Sequence, residues 1–191
     1  MAQPLRGKPL DIETPRFLVK SMSEGDATGN FRTWIADAEL MGALNMPGRQ
    51  LSPGDIARFL AGFDDRSRYL IGVFEKTSRQ LIGLFLLDVN LTHALGKLSG
   101  FIGDRSWRGK CVYEEVGSSL FDEFFSARGL EKAQAQVWER NFSALIPLRR
   151  LGFKIEGYLR EEIRSFDRSG RRSQFILGLL PSDRKSFTYD G

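Results

Sequence analysis

The sequence predicts one mixed α/β domain organised around a sheet. Three observations predict it. The 191 residues are 41% hydrophobic and include 15 Phe, enough for one buried core and about one domain. Apolar residues recur at period two in some segments and at three-to-four spacing in others. These segments follow the order β, α, α, β, β, β, α, β, α, β, β, with no repeat and no low-complexity linker.

Each element has its own signal. Residues 1–14 contain Pro4 and Pro9, end just before Pro15, and read as an irregular arm. Arg16–Lys20 (RFLVK) reads as a short strand. Ser23 and Asp26 offer a helix start, and Phe31, Trp34, Ile35 and Ala38 continue it at helical spacing. Ser52 can cap a second helix, with Pro53 in its first position, Asp55 in its third, and Ile56, Phe59, Leu60 and Phe63 on one face. Arg68–Lys76 and Gln80–Asn90 are apolar strands joined by a turn at 77–79, and Gly96–Asp104 is a third. A long helix runs from about Val112 to Arg128, with Glu115, Ser118, Asp122 and Glu123 on its polar face and Gly129 as its stop. Lys132–Trp138 alternates as a strand, with Ala133, Ala135 and Val137 on one face. A short helix after Asn141 contains Pro147, which predicts a kinked or short element. Strands from Phe153 and over Gln174–Leu179 flank a turn at 167–170. The domain proper is expected over 15–182, with a tail at 183–191.

Composition excludes several functions. The longest apolar run, Leu81–Leu87, is seven residues, far below the ~20 that cross a bilayer, so no membrane partner is expected. The N-terminus has no apolar signal-peptide core, and the single cysteine, Cys111, fits a reducing compartment; a cytoplasmic address follows. One histidine and one cysteine leave no metal site, and His93 sits in a loop-like stretch that argues against a hydrolytic triad. The net charge of +4 is mild, and no basic face is interleaved with aromatics, so nucleic acid is not expected.

The strongest chemical feature is the turn Gly103–Cys111 between a strand and the long helix. Helix-start N–H groups, Arg108, Lys110 and the compact Gly109 together favour a phosphate. A nucleotide P-loop is excluded by spacing: five residues separate Gly103 from Gly109 where four are needed, and Cys111 stands at the Ser/Thr position.

This region resembles a family. DRSWRGKCVYEEV (104–116) is similar to the acetyl-CoA pyrophosphate loop of the GNAT acyltransferases, Q/R-x-x-G-x-G/A. WERNFSALIPLRRLGFKIEGYLREEI (138–163) resembles a later run of the branch that holds ribosomal-protein N-terminal (alanine/serine) acetyltransferases and related sugar and antibiotic acetyltransferases; ETPRFLVK (13–20) resembles its opening strand. The resemblance implies a single GNAT domain with a mixed, mostly antiparallel sheet flanked by helices. It implies acetyl-CoA as co-substrate and direct transfer, in a ternary complex, to a primary amine of a protein N-terminus, an amino sugar or another small molecule.

The resemblance also assigns residues. Arg108, Gly109, Lys110, Cys111, Val112 and Tyr113 would surround the pyrophosphate, with Cys111 at the usual Gly position and Tyr113 at the usual Gly/Ala position. Tyr113 either packs against the ligand or is the helix's first core residue. Main-chain groups near Phe101, Ile102 and Gly103 would bind the pantetheine arm as an added strand does. Asn141 would contact it or orient a water, besides capping its helix, with Ser143 adjacent. The family's usual leaving-group acid, a Tyr four residues before the Gly of GF, is Leu148 here. Ala144 stands where the branch often has Ser, and Leu98 and Ser99 precede Gly100 where a carboxylate is common.

The base is then sought among Glu161, one of an adjacent pair on a strand, and Asp88, near a strand end. The alternative is a GNAT-fold module that binds acyl-CoA without catalysis. Arginines 160, 164, 168, 171 and 172 fit an acidic acceptor or a solvated hairpin, and disfavour a polyamine. A monomer or a homodimer is compatible with the chain.

Overall fold

The computed structural model describes residues 7–27 and 29–187. The strands are β1 (Asp11–Glu13), β2 (Phe17–Ser21), β3 (Arg68–Glu75), β4 (Leu81–Asn90), β5 (Leu95–Ile102), β6 (Lys132–Trp138), β7 (Lys154–Arg164) and β8 (Arg171–Leu179). The helices are α1 (Asn30–Ala36), α2 (Ala38–Ala43), α3 (Pro53–Leu60), α4 (Val112–Ser126) and α5 (Phe142–Arg150). The strands form one eight-stranded sheet in the order β1-β2-β3-β4-β5-β6-β8-β7. It is mixed and mostly antiparallel, and β5–β6 is a parallel pair. The chain divides into two compact units, one running to Asp88 and including Gly100–Ser106, the other comprising Val89–Ser99 and the chain from Trp107 onward.

In the first unit, β3 is buried along almost its whole length, as its continuous apolar run requires. Phe31, Trp34, Ile56, Phe63, Leu70, Phe74, Leu81 and Leu84 form its core. The helix expected to start at Ser23 is broken up. Ser23 caps only a 3₁₀ turn, Glu24–Asp26, and Gly29 at φ +46° precedes α1. Asp37 then ends α1 and caps α2, accepting from the N–H groups of Glu39 and Leu40. A carboxylate that competes for backbone N–H groups ends one helix by starting another. The α3 start is as the sequence implies: Ser52 and Asp55 form a reciprocal capping box around Pro53. The supposed irregular arm contains β1, whose three residues pair with Leu18–Lys20.

In the second unit, α4 buries Val112, Val116, Leu120, Phe121 and Phe124. Gly129 takes φ +70° just past its end, and the Leu130 N–H returns to the Phe124 carbonyl. The expected polar face is a correction: Glu115 and Ser118 are buried. The segment after β8 covers part of that face, with the Phe187 N–H donating to Ser118 Oγ, the Lys185 N–H donating to the Leu151 carbonyl, and Arg184 pairing with Asp122. Helix α5 keeps its turns through Pro147 and stays short, at nine residues.

Candidate functional site

The turn before α4 is built from local chemistry. Asp104 Oδ1 accepts from the backbone N–H of Ser106 at 2.9 Å and from its hydroxyl at 2.8 Å, which fixes the 3₁₀ turn Arg105–Trp107. Lys110 Nζ lies 5.2 Å from the Trp107 ring centroid. Gly109 has φ +75°, and a Cβ there would meet nothing within 4 Å. Cys111 is the N-cap of α4, in the left-handed region at φ +54° and ψ +25°, and supplies no capping side-chain bond. A non-glycine residue is held there at a cost. The turn therefore joins two cations, a glycine with open space and the start of a 15-residue helix that no side chain of its N-cap closes off.

Two residues of the first α4 turn refine the site. Tyr113 is half-buried, and burial pushes its phenol well above the usual range, so it stays protonated at neutral pH. Glu114 is only 3% exposed, and Arg150 of α5 donates to its Oε1 at 3.0 Å. This buried carboxylate, paired with Arg150, has no signal in the sequence beyond its helical position.

The parallel register of β5 with β6 runs from Leu95↔Lys132 to Leu98↔Ala135 and ends there, whereas β6 continues to Trp138 against β8. Of the expected pantetheine contacts, Phe101 and Ile102 are half-buried. The Gly103 N–H already donates to the Ile82 carbonyl at 3.0 Å, so it is not a spare donor. Asn141 caps α5: its Oδ1 accepts from the Ala144 N–H at 3.3 Å and from Ser143 Oγ at 2.7 Å. With that oxygen engaged, Nδ2 is the atom left to donate. Leu148 is 1% exposed, a packing residue of α5.

The two carboxylates proposed as base differ. Asp88 lies opposite Arg68 in the β3–β4 register and accepts from its Nε at 2.9 Å, with both side chains about half exposed. Glu161 lies in a bulge of β7, where the register with β8 slips between Leu159 and Ile163. It has φ +50°. Its N–H donates to Ser173 Oγ at 3.0 Å, and Arg171 binds the carbonyls of Glu161 and Glu162. The strand pattern around residues 160–162 does not announce this bulge, because the groups that hold it come from the partner strand.

Beside the bulge, Arg172 lies over the Trp138 ring, 4.3 Å from its centroid. Among the described residues, no group of His, Cys, Asp and Glu is arranged to hold a metal ion, and no helix is long and apolar enough to cross a membrane.

Residues 16–154 match the model of the acetyltransferase (GNAT) domain. A curated relative, the uncharacterized N-acetyltransferase YoaA of Bacillus subtilis (strain 168), is 26% identical over 153 residues, covering 78% of this chain and 86% of that protein. Among solved structures, spermidine N-acetyltransferase from Vibrio cholerae, in complex with CoA and spermine, is similar with a TM-score of 0.76 at 20% identity, covering 87% of this chain and 96% of that one. The ribosomal-protein-S5-alanine acetyltransferase of Vibrio fischeri gives 0.72 at 17% identity, covering 92% of this chain and 99% of that one. At these identities the structures speak for the fold, and the domain match, which covers the strands from β2 to β6, the basic turn and α4, speaks for the family: the chain belongs to the GNAT acetyltransferases.

Proposed function

We propose that the protein is an acetyl-CoA-dependent N-acetyltransferase that passes an acetyl group directly to a primary amine in a ternary complex. The observation that carries this reading is the head of α4. Cys111, at the position where the resemblance places a glycine, has φ +54°, a left-handed backbone that favours glycine, between Lys110 and the first turn of the helix. Arg108, Lys110 and the first-turn N–H groups supply the charge and donors that a pyrophosphate needs. The edge of β6 beyond Ala135 supplies main-chain groups for an extended pantetheine arm, and Asn141 Nδ2 a further donor.

Acetyl-CoA supplies an activated thioester. The protein must remove a proton from the amine and hold it near the acyl carbon. Glu161 is the favoured base, because it sits exposed in a bulge that breaks the regular pleat, whereas Asp88 is already paired with Arg68. Leu148 offers no proton to the leaving thiolate, so orientation and exclusion of water would carry more of the rate. The same buried Leu148 favours a second reading, an acyl-CoA-binding module without catalysis. A cytoplasmic setting suits the free Cys111.

The test is a thermal-shift comparison of acetyl-CoA, CoA, ATP and NAD, followed by assay of CoA release with an amine panel. A ligand at 100 times its Kd stabilises by about 2.7 kcal/mol, a rise of roughly 5–11 °C for a chain of this size. The expected rise is with acetyl-CoA and CoA alone. No rise overturns the cofactor reading; a rise without CoA release from any amine supports the second reading.

A further inference from the structure

The sheet face beside the β7 bulge carries an arrangement outside the cofactor site proposed above. In the antiparallel registers Trp138, Gln174 and Leu159 lie directly opposite one another, and Ile163 lies opposite Arg172, two residues before Gln174. Directly opposed residues share a face, as do residues two apart on a strand. Trp138, Arg172, Gln174, Leu159 and Ile163 are therefore neighbours on one face, with Glu161 in the bulge between Leu159 and Ile163.

Three properties of this group stand out. Gln174 Oε1 is buried from solvent and accepts no hydrogen bond among the described residues. A buried carbonyl oxygen without a donor costs stability, and such groups are rare unless a ligand or water completes them. Arg172 is held over the indole of Trp138 and takes part in no ion pair among the described residues. Its charge is felt by the carboxylate of Asp167, which is itself bound by the hydroxyls of Ser165 and Ser169. Neighbouring Arg171 is occupied by the bulge carbonyls. Lastly, Glu161 keeps a left-handed backbone at φ +50°, a cost that tends to be retained where a side chain must be aimed.

We infer that this face is the acceptor site, and that it recognises the N-terminus of a peptide with an acidic side chain close to its amine. This rests on the acetyltransferase reading above. One guanidinium, held over an indole, matches the planar oxygens and single charge of a carboxylate. A phosphate, with charge near −2, calls for more cations than Arg172 alone. The Gln174 oxygen takes a peptide N–H. A polyamine would set its own ammonium groups beside Arg172 and bring no anion to it.

The test uses the full chain saturated with CoA and titrated calorimetrically with two peptides, one beginning Ala-Glu and its twin beginning Ala-Gln. The acidic peptide is expected to bind at least about tenfold more tightly, the scale of a hydrogen bond to a charged group. That ratio is expected to fall to about one in Arg172→Gln, while Gln174→Leu weakens both peptides alike. The temperature rise with CoA is measured for every variant and reports the cofactor site separately. A ratio near one in the unaltered protein, a ratio that survives Arg172→Gln, binding of neither peptide, or tighter binding of spermidine or glucosamine 6-phosphate overturns the acceptor assignment. Loss of the CoA response in the unaltered protein overturns the acetyltransferase reading instead.

Discussion

The indole of Trp34 lies against the backbone of Gly103 so closely that a Cβ on Gly103 would fall on its Cδ2 and Cε2 atoms. Trp34 is 7% exposed and meets Phe101 edge-on with centroids 5.8 Å apart, so it has little room to withdraw. Gly103→Ala is therefore an overpacking change, expected to cost about 1–3 kcal/mol and to lower Tm by roughly 2–12 °C. In the Trp34→Ala background the same substitution should cost much less, because the atoms it strikes are gone. Equal costs in both backgrounds, read by thermal denaturation, would remove the contact as the reason for this glycine.

Much of this fold was legible because its signals are local. Ser52, Pro53 and Asp55 state the start of α3 within four residues, and the period of Lys132–Trp138 states β6 by itself. What was not legible depends on distant partners. The break at Asp37 is a cap in competition with a longer helix, and Ser118 lies under a tail that crosses α4. The basic turn proposed to hold a phosphate is legible as a turn in Arg108, Gly109 and Lys110. The bulge that sets Glu161 apart is not, because Ser173 and Arg171 hold it from the next strand.

Cys111 gives a backbone test of the site. Its φ of +54° costs an L-residue about 1–2 kcal/mol, and glycine returns about 0.4–1 kcal/mol of that as added freedom of the unfolded chain. Cys111→Gly is expected to leave Tm unchanged or raise it by up to about 6 °C. Cys111→Val, with a β-branched side chain in that region, should lower it clearly. Stability in the order Val above Gly would show that the left-handed conformation is not maintained.

Gly109 separates room from charge. Its φ of +75° suits glycine or asparagine, and a Cβ would meet nothing within 4 Å. Gly109→Asn is expected to keep the thermal shift with CoA, whereas Gly109→Glu places an anion beside the proposed pyrophosphate and should abolish it. An unchanged shift in Gly109→Glu would move the phosphate site elsewhere.

Asp64 sets an acid limit on stability. Partial burial raises its pKa, but the backbone N–H groups of Arg68, Arg66 and Ser67 and the hydroxyl of Ser67 outweigh this and lower it from 3.8 to about 2. With the folded value below the unfolded one, the contribution is complete above about pH 4 and drains away as pH falls towards 2. Asp64→Asn should therefore lower Tm at pH 7, and the gap to the unaltered protein should close between about pH 4 and 2. A gap independent of pH across that window would assign the loss to geometry rather than to charge.

The Glu114–Arg150 pair links the first turn of α4 to the end of α5 and so can be tested as a unit. Glu114 is 3% exposed, while the Arg150 side chain is 62% exposed, so water screens one partner and leaves the other dependent on it. Arg150→Met strands a buried carboxylate and is expected to cost about 1–3 kcal/mol, discounted for that screening. Glu114→Gln alone should cost less, since an amide can remain buried with a weaker bond. In the double variant much of the Arg150→Met loss should return, because no charge is left unpaired. A strictly additive double variant in urea denaturation would show that the two side chains do not act together, and that α5 is held against α4 by packing around Leu148 alone.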